Sequence, residues 1–326
     1  MGRHHAPPVT RDPSNVVASP VPAASGSKEP AAGIRVWLGA MRPKTLPAGL
    51  APVVVGAAMG RADVGAAWEV REWGLFAACA VGALAVQVAT NFANECLDFR
   101  KGADTPDRLG PTRAVAAGLI APSAMWTATG IALAVAGLAA AWLSIEVSIG
   151  YAFLGLISGV LALAYTGGPM PLAYVGLGDL FVLAFFGVVA VVATGLALGA
   201  ELGAELLVAG IGCGLLSTAI LAVNNLRDRE GDARARKLTL AVRLGERFAR
   251  WEFAACVVGA LGCFAWLATG QGPIAYLPCV PSALLTVQVI RVMRGLDGRP
   301  LNAVLASTGS ALLATAVLFA LVMTRS

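Results

Sequence analysis

Long apolar stretches alternate with short polar segments along most of the chain. A bilayer's hydrocarbon core takes about 20 apolar residues per helix. Nine stretches answer to that, near 45–61, 73–94, 123–144, 147–166, 175–200, 204–226, 251–270, 274–292 and 301–323, the first and eighth with the weakest apolar signal. The pattern predicts an all-α polytopic membrane protein. Residues 1–32 are Pro/Ala/Ser-rich without apolar periodicity, so a disordered N-terminal tail is expected ahead of a transmembrane domain at 33–326. That N-terminus lacks a basic start followed by a short apolar core and a small-residue cleavage site, so no removable signal peptide is expected. GIRVWLGAMRPK mixes apolar residues with Arg and Lys as an interfacial helix does.

Composition agrees: 57% of the 326 residues are hydrophobic and 13% charged, too apolar for a soluble domain of this size. With the N-terminus inside, 21 of the 24 Lys and Arg fall on the inner side, leaving Arg61, Arg71 and Arg325 outside. That asymmetry predicts a cytoplasmic N-terminus in a cell membrane and an odd number of crossings. The same asymmetry accounts for the net charge of +5, so no nucleic-acid partner is expected. His4 and His5, the only histidines, lie in the tail, which excludes histidine chemistry from the membrane domain. The six cysteines are scattered singly with no CxxC pair and read as packing residues.

Two of the polar segments resemble each other. NFANECLDFRKGADTPDRLGPTR (91–113) follows the second span and NNLRDREGDARARK (224–237) follows the sixth. Four crossings separate them, so both emerge on one side of the membrane. Asn224, Asp228 and Asp232 stand at i, i+4 and i+8, which puts an amide and two carboxylates on one helix face. Asn94 and Asp98 repeat the step, with Asp104 beyond Gly102, a residue suited to ending the helix. Carboxylates one turn apart repel unless a cation lies between them. An Asp/Asn set without His or thiolate suits a hard cation, best Mg²⁺ held by few carboxylates plus substrate phosphates. Lys101, Arg108, Arg113, Arg236 and Lys237 are then candidates to neutralise a polyanion. One copy alone would pass as a solvated loop; two copies on one side argue for a site.

These motifs resemble the two aspartate-rich motifs of the UbiA-type intramembrane aromatic prenyltransferases. MRPKTLPAGLAPVVVG (41–56), NECLDFRKGADTPDRLGPTR (94–113), YTGGPMPLAYVGLGDLFVLAFFG (165–187) and NNLRDREGDARARKLTLAVRLG (224–245) look most like the 1,4-dihydroxy-2-naphthoate polyprenyltransferases of menaquinone synthesis. The likeness covers about residues 35–323. It departs at Glu95, where many relatives carry Asp, and at Gly102, where the 4-hydroxybenzoate branch has Asp and where Asp104 takes over in the naphthoate branch.

The resemblance implies about nine helices around a central cavity, with the motifs at the cytoplasmic ends of helices 2 and 6. It implies transfer of a polyprenyl group from polyprenyl diphosphate to 1,4-dihydroxy-2-naphthoate, with loss of diphosphate and CO₂, giving demethylmenaquinone. Mg²⁺ would be held by Asn94, Asp98 and Asp104 on one side and Asn224, Asp228 and Asp232 on the other. Tyr165, at the end of span four, either steadies the allylic cation or positions the acceptor; its alternative is the interfacial aromatic belt. Arg42 and Lys44 are candidates for the acceptor carboxylate or for topogenic roles, and Asp179 is an intramembrane acid that joins the acceptor-binding set. Three rival readings fit the residues less well. A sister enzyme for 4-hydroxybenzoate is disfavoured by Gly102, Asp104 and the GGPMPLAY loop. The CDP-alcohol phosphotransferases need a tight D-x2-D-G-x2-A-R run that is missing here. A divalent-ion-coupled transporter would place its acids near mid-span.

Overall fold

Nine apolar stretches with nowhere to bury their backbone amides in lipid can only be helical, and in the computed structural model each is, the eighth in two short pieces. Residues 33–64, 68–104 and 109–323 are described. The tail expected at 1–32 and the candidate Arg108 lie outside them. The elements are α1 (Ile34–Ala40), α2 (Leu46–Val64), α3 (Val70–Arg100), α4 (Pro122–Glu146), α5 (Gly150–Ala164), α6 (Gly178–Ala197), α7 (Ala204–Arg234), α8 (Leu240–Leu267), α9 (Cys279–Met293) and α10 (Leu301–Met323). Among the described residues six helices are long and apolar enough to cross a membrane, while α5 and α9 are shorter apolar helices. The protein is a multi-pass membrane protein.

The interfacial helix expected near 33–44 is α1, whose Trp37 packs edge-on against Phe92 of α3 at 5.8 Å. The eighth stretch departs most from expectation. It begins with the 3₁₀ turn Pro273–Tyr276, and α9 is two short helices, Cys279–Leu284 and Thr286–Met293. Pro278 and Pro281 lack the N–H that would continue the ladder. The seventh starts earlier than its apolar run: Thr239 caps α8 by accepting from the Val242 amide, and Gly245 (φ 85°) kinks the helix before the apolar part.

α3 and α7 set the geometry of the site. Each has 31 residues, about 46 Å of helix against a core of about 30 Å, so an end must project. α3 starts in a capping box between Glu69 and Glu72 and stops where Gly102 adopts φ +67°, the role expected of that glycine. At the opposite end from the acidic motif, Arg71 pairs with Glu146 of α4 at 3.4 Å.

α7 is the central helix, its apolar stretch 72% buried against 17% for that of the far more exposed α4. It packs against α2, α6, α8 and α10. Glycines let it approach α6: a Cβ on Gly187 would meet the Gly214 Cα and come within 2.6 Å of the Gly210 carbonyl oxygen. There α6 loosens into a π-helical segment, Ala184–Val189. α5 leans on α3 and α4 but shares no extended contact with α6.

Candidate active site

A polar cavity opens where the acidic ends of α3 and α7 converge, so the two segments paired in the sequence share one wall-lined space. Asn94 and Asp98 line it from α3, and Asn224, Asn225, Asp228 and Asp232 from α7. The 165–177 connection adds Tyr165 and Thr166, the start of α6 adds Asp179, and Arg42 and Lys237 add positive charge.

The Asp98 carboxylate is fixed at both oxygens: Tyr174 Oη donates to Oδ1 at 2.9 Å and Arg113 to Oδ2 at 2.8 Å. Arg113 also reaches Glu95 Oε1 at 3.3 Å and Asp104 Oδ1 at 3.2 Å, while Glu95 Oε2 accepts from the Val115 amide. All four ionic side chains are 2–6% exposed. Arg113, a candidate to neutralise a polyanion, lines the cavity and bonds three carboxylates there. Asp104 sits behind that arginine and is not among the cavity-lining residues. Glu95, a departure from the family pattern, serves as a buried partner of Arg113.

Tyr174 ties the two motifs together. Its ring lies 3.9 Å from Lys101 Nζ and 5.8 Å from Lys237 Nζ, both within cation–π range. Its backbone carbonyl accepts from the Leu238 amide at 3.0 Å. Burial and the Asp98 carboxylate raise the Tyr174 hydroxyl above the ordinary tyrosine value, so it stays protonated and donates. Partial burial holds the Lys101 ammonium below the ordinary lysine value; Asp98 opposes this and Lys237 adds to it. Lys101 Nζ donates to the Thr166 carbonyl at 2.5 Å, and Thr166 Oγ1 donates to Asn94 Oδ1. Lys237 pairs with Asp232 at 3.7 Å.

On α7, the buried Arg227 holds Asp228 through both carboxylate oxygens, at 2.8 and 2.6 Å, and Asn224 Oδ1 at 2.8 Å. Arg227, which the sequence counted only toward the inward excess of positive charge, is 4% exposed and bonds Asp228, Asn224 and Asn302. Lys101 is absent from the cavity's lining, and two further candidates stand outside it as well. Lys44 and Arg236 are exposed and absent from its lining, Arg236 at φ +54° beyond the end of α7. Asp179 is brought in, 5% exposed and accepting from Asn225 at 3.4 Å.

An apolar cavity of about 150 Å³ lies deeper among α2 to α6, walled by small residues such as Gly49, Ala78, Gly82 and Ala83. Aromatic rings mark the boundary between the two spaces. Tyr165 contacts Phe181 with ring centroids 5.7 Å apart, and Phe181 stacks on Phe185 at 4.6 Å. At the far end Tyr151 donates to the Ala193 carbonyl at 2.6 Å, joining α5 to α6.

Tyr174 and Asn225 both lie within the quoted motifs, and Asn225 adjoins the candidate Asn224. Arg227 had a signal only in standing next to Asp228, and Asn302, which accepts from Arg227 at 2.7 Å, had none. Among the described residues no group of three His, Cys, Asp or Glu is close enough to hold a metal by itself. The cavity's donors are carboxylate and amide oxygens, which fits a hard cation that takes only a few protein ligands and completes its shell with substrate oxygens and water. All six cysteines are free thiols.

Residues 49–312 match the UbiA prenyltransferase family. The chain is 36% identical to the 1,4-dihydroxy-2-naphthoate octaprenyltransferase of Escherichia coli (strain K12), over 88% of this chain and 94% of that one. It is 38% identical to the Mycobacterium tuberculosis protein of the same description, over 86% and 94% respectively. Among solved structures, an apo UbiA homolog from Aeropyrum pernix K1 superposes with a TM-score of 0.62 at 18% identity, covering 86% of this chain and 97% of that one. A UbiA homolog from Archaeoglobus fulgidus bound to GPP and Mg²⁺ gives 0.61 at 16% identity, covering 88% and 99%. With a family match spanning most of the membrane domain and relatives aligned along nearly their whole length, this chain belongs to the UbiA prenyltransferase family.

Proposed function

We propose that the protein transfers a polyprenyl group from polyprenyl diphosphate to 1,4-dihydroxy-2-naphthoate, releasing diphosphate and CO₂ and giving demethylmenaquinone at the hydroquinone level. The observation that carries this reading is the meeting of Asp98 from α3 with Asp228 and Asp232 from α7 in one polar cavity that adjoins an apolar one. A diphosphate head and an isoprenoid tail require that pair of environments side by side. The naphthoate acceptor rests on the description shared by the relatives named above.

Asp98, Asp228 and Asp232 would hold Mg²⁺, with Asn94 and Asn224 as neutral oxygen donors and Asp104 acting from behind Arg113. When bound, the metal offsets the charge on the diphosphate and stabilises it as a leaving group. Lys237, at the cavity wall, adds a cation toward the same phosphates. The C–O bond of the allylic diphosphate breaks with its electron pair leaving on oxygen. The ring carbon bearing the acceptor's carboxylate then bonds to the allylic carbon, and the carboxylate departs as CO₂ and returns its electron pair to the ring. No external base is needed for that exchange. Tyr165, between the two cavities and against Phe181, presents a ring face to developing positive charge. The apolar walls keep out the water that would hydrolyse the cation. Arg42 is the cation in the lining best suited to the acceptor's carboxylate, with Asp179 nearby as a hydrogen-bond acceptor. The polar end is taken as cytoplasmic on the distribution of Lys and Arg.

The test offers purified protein 1,4-dihydroxy-2-naphthoate and 4-hydroxybenzoate side by side with several prenyl diphosphates, following CO₂ and prenylated products. Prenylation of the benzoate alone refutes the acceptor assignment. Mg²⁺-dependent diphosphate release left unchanged by Asp228→Asn removes the motif from the reaction and reopens the transporter reading.

A further inference from the structure

Arg227 has no place in the reaction just described, yet it is the most heavily engaged side chain at the end of α7. Consecutive helical positions point about 100° apart and do not face each other, so an arginine does not grip the next residue's carboxylate by helix geometry alone. Its guanidinium is held over Asp228 from off the helix. Arg227 Nη1 donates to Asn302 Oδ1 at 2.7 Å, and Asn302, on the first turn of α10, donates through Nδ2 to the Leu109 carbonyl at 3.1 Å. The network thus joins the second motif, α10 and the C-terminal part of the first motif.

The direction of the grip matters. Arg227 is not among the residues lining the polar cavity; it lines a separate recess on the other side of the α7 end. Asp228 lines both spaces, so its carboxylate stands in the wall between them. A carboxylate offers about four lone-pair positions. Arg227 Nε and Nη2 take one at each oxygen, Oδ1 and Oδ2, of a carboxylate whose residue also lines the cavity. The same Nη2 bonds Asn224 Oδ1 one turn earlier, so one guanidinium sets the orientation of two cavity donors.

We propose that Arg227, tethered by Asn302, is a positioning residue that orients Asn224 and Asp228 for a divalent cation, a role resting on the function proposed above. Simple charge compensation makes the opposite prediction. Removing a cation beside a carboxylate raises its attraction for metal by Coulomb's law, whereas removing a positioning group weakens binding, typically by 10- to 100-fold.

The experiment uses purified full-length protein with geranyl diphosphate present, and titrates Mg²⁺ against the thermal unfolding midpoint and, in parallel, against diphosphate release. Arg227→Gln and Arg227→Lys are expected to raise the half-saturating Mg²⁺ concentration on the order of 10-fold, with kcat at saturating Mg²⁺ much less affected. Asn302→Ala, which keeps the Arg227 charge and loses only the tether, is expected to move half-saturation several-fold in the same direction, and it decides the matter if the arginine variants do not fold. Tighter Mg²⁺ binding in Arg227→Gln, or an unmoved half-saturation in Asn302→Ala beside a normal wild-type response, overturns the inference alone. Absence of any Mg²⁺ response in the wild-type protein overturns the proposed function and the inference with it.

Discussion

Arg113 offers the sharpest quantitative test of the site. Its guanidinium faces Glu95, Asp98 and Asp104 at 3.3, 2.8 and 3.2 Å, and every member of the group is 2–6% exposed, so solvent screening gives little relief. Arg113→Met removes the cation and leaves three carboxylates confined together. Removing one partner of a buried ion pair costs about 3–5 kcal/mol, most of it the penalty of the charge left behind. That is a large share of a typical total stability of about 5–15 kcal/mol, and corresponds to a fall in unfolding midpoint on the order of 10 °C. Intrinsic fluorescence during heating of the detergent-purified protein reads the shift. The charge balance of the cluster sets a second, stricter test. Because the cost comes from uncompensated charge rather than lost packing, Glu95→Gln in the Arg113→Met background should restore about 1 kcal/mol or more, although Glu95→Gln alone destabilises. A midpoint for Arg113→Met within about 2 °C of wild type, or a double variant that simply adds the two losses, refutes the reasoning.

Other consequences are open to direct measurement. Tyr174→Phe removes the donor to Asp98 Oδ1 and is expected to cost about 1 kcal/mol, read as a several-fold loss of kcat/KM; Tyr174→Leu, which also removes the ring between Lys101 and Lys237, should lose more. Arg42→Ala is expected to raise the acceptor KM about 10-fold or more, the worth of one charge-assisted hydrogen bond, whereas Lys44→Ala leaves it unchanged because Lys44 is exposed and outside the lining; equal effects would show that the acceptor lies elsewhere. Gly187→Ala forces a methyl against Gly210 and Gly214 and should destabilise by about 1–3 kcal/mol, visible as a lowered unfolding midpoint. Chelation by EDTA is expected to abolish diphosphate release and the Mg²⁺-dependent rise in midpoint together.

Much of the molecule was legible because lipid is an unforgiving solvent. Apolar length gave the helices, and the i, i+4 spacing of Asn94 with Asp98 and of Asn224 with Asp228 and Asp232 gave one face of α3 and of α7, both of which line the cavity. The count of intervening spans put the two motifs on one side. The reading was weakest where proline and glycine act locally, as at Pro278, Pro281 and Gly245, since hydropathy over a 20-residue window does not register a break in the backbone.

The roles of the arginines were the larger loss. Arg113, Arg227 and Arg236 are the same letter in segments of the same character, and the sequence made the first and the last candidates to neutralise a polyanion while giving Arg227 no role at the site. In the structure Arg113 and Arg227 are buried carboxylate clamps and Arg236 is exposed. Periodicity reports which residues share a face of one helix, but not what stands opposite that face. Arg113 meets Asp98 from 15 residues away, Tyr174 reaches it across 76, and Asn302 bonds Leu109 across 193. By itself the sequence determined that the chain lies in a membrane, that two acidic helix ends share one side, and that their donors suit a hard cation, because composition and spacing are local properties of each segment. Only the tertiary structure decided which cations face the cavity and which are spent holding its carboxylates, because that depends on how helices distant in the chain are packed.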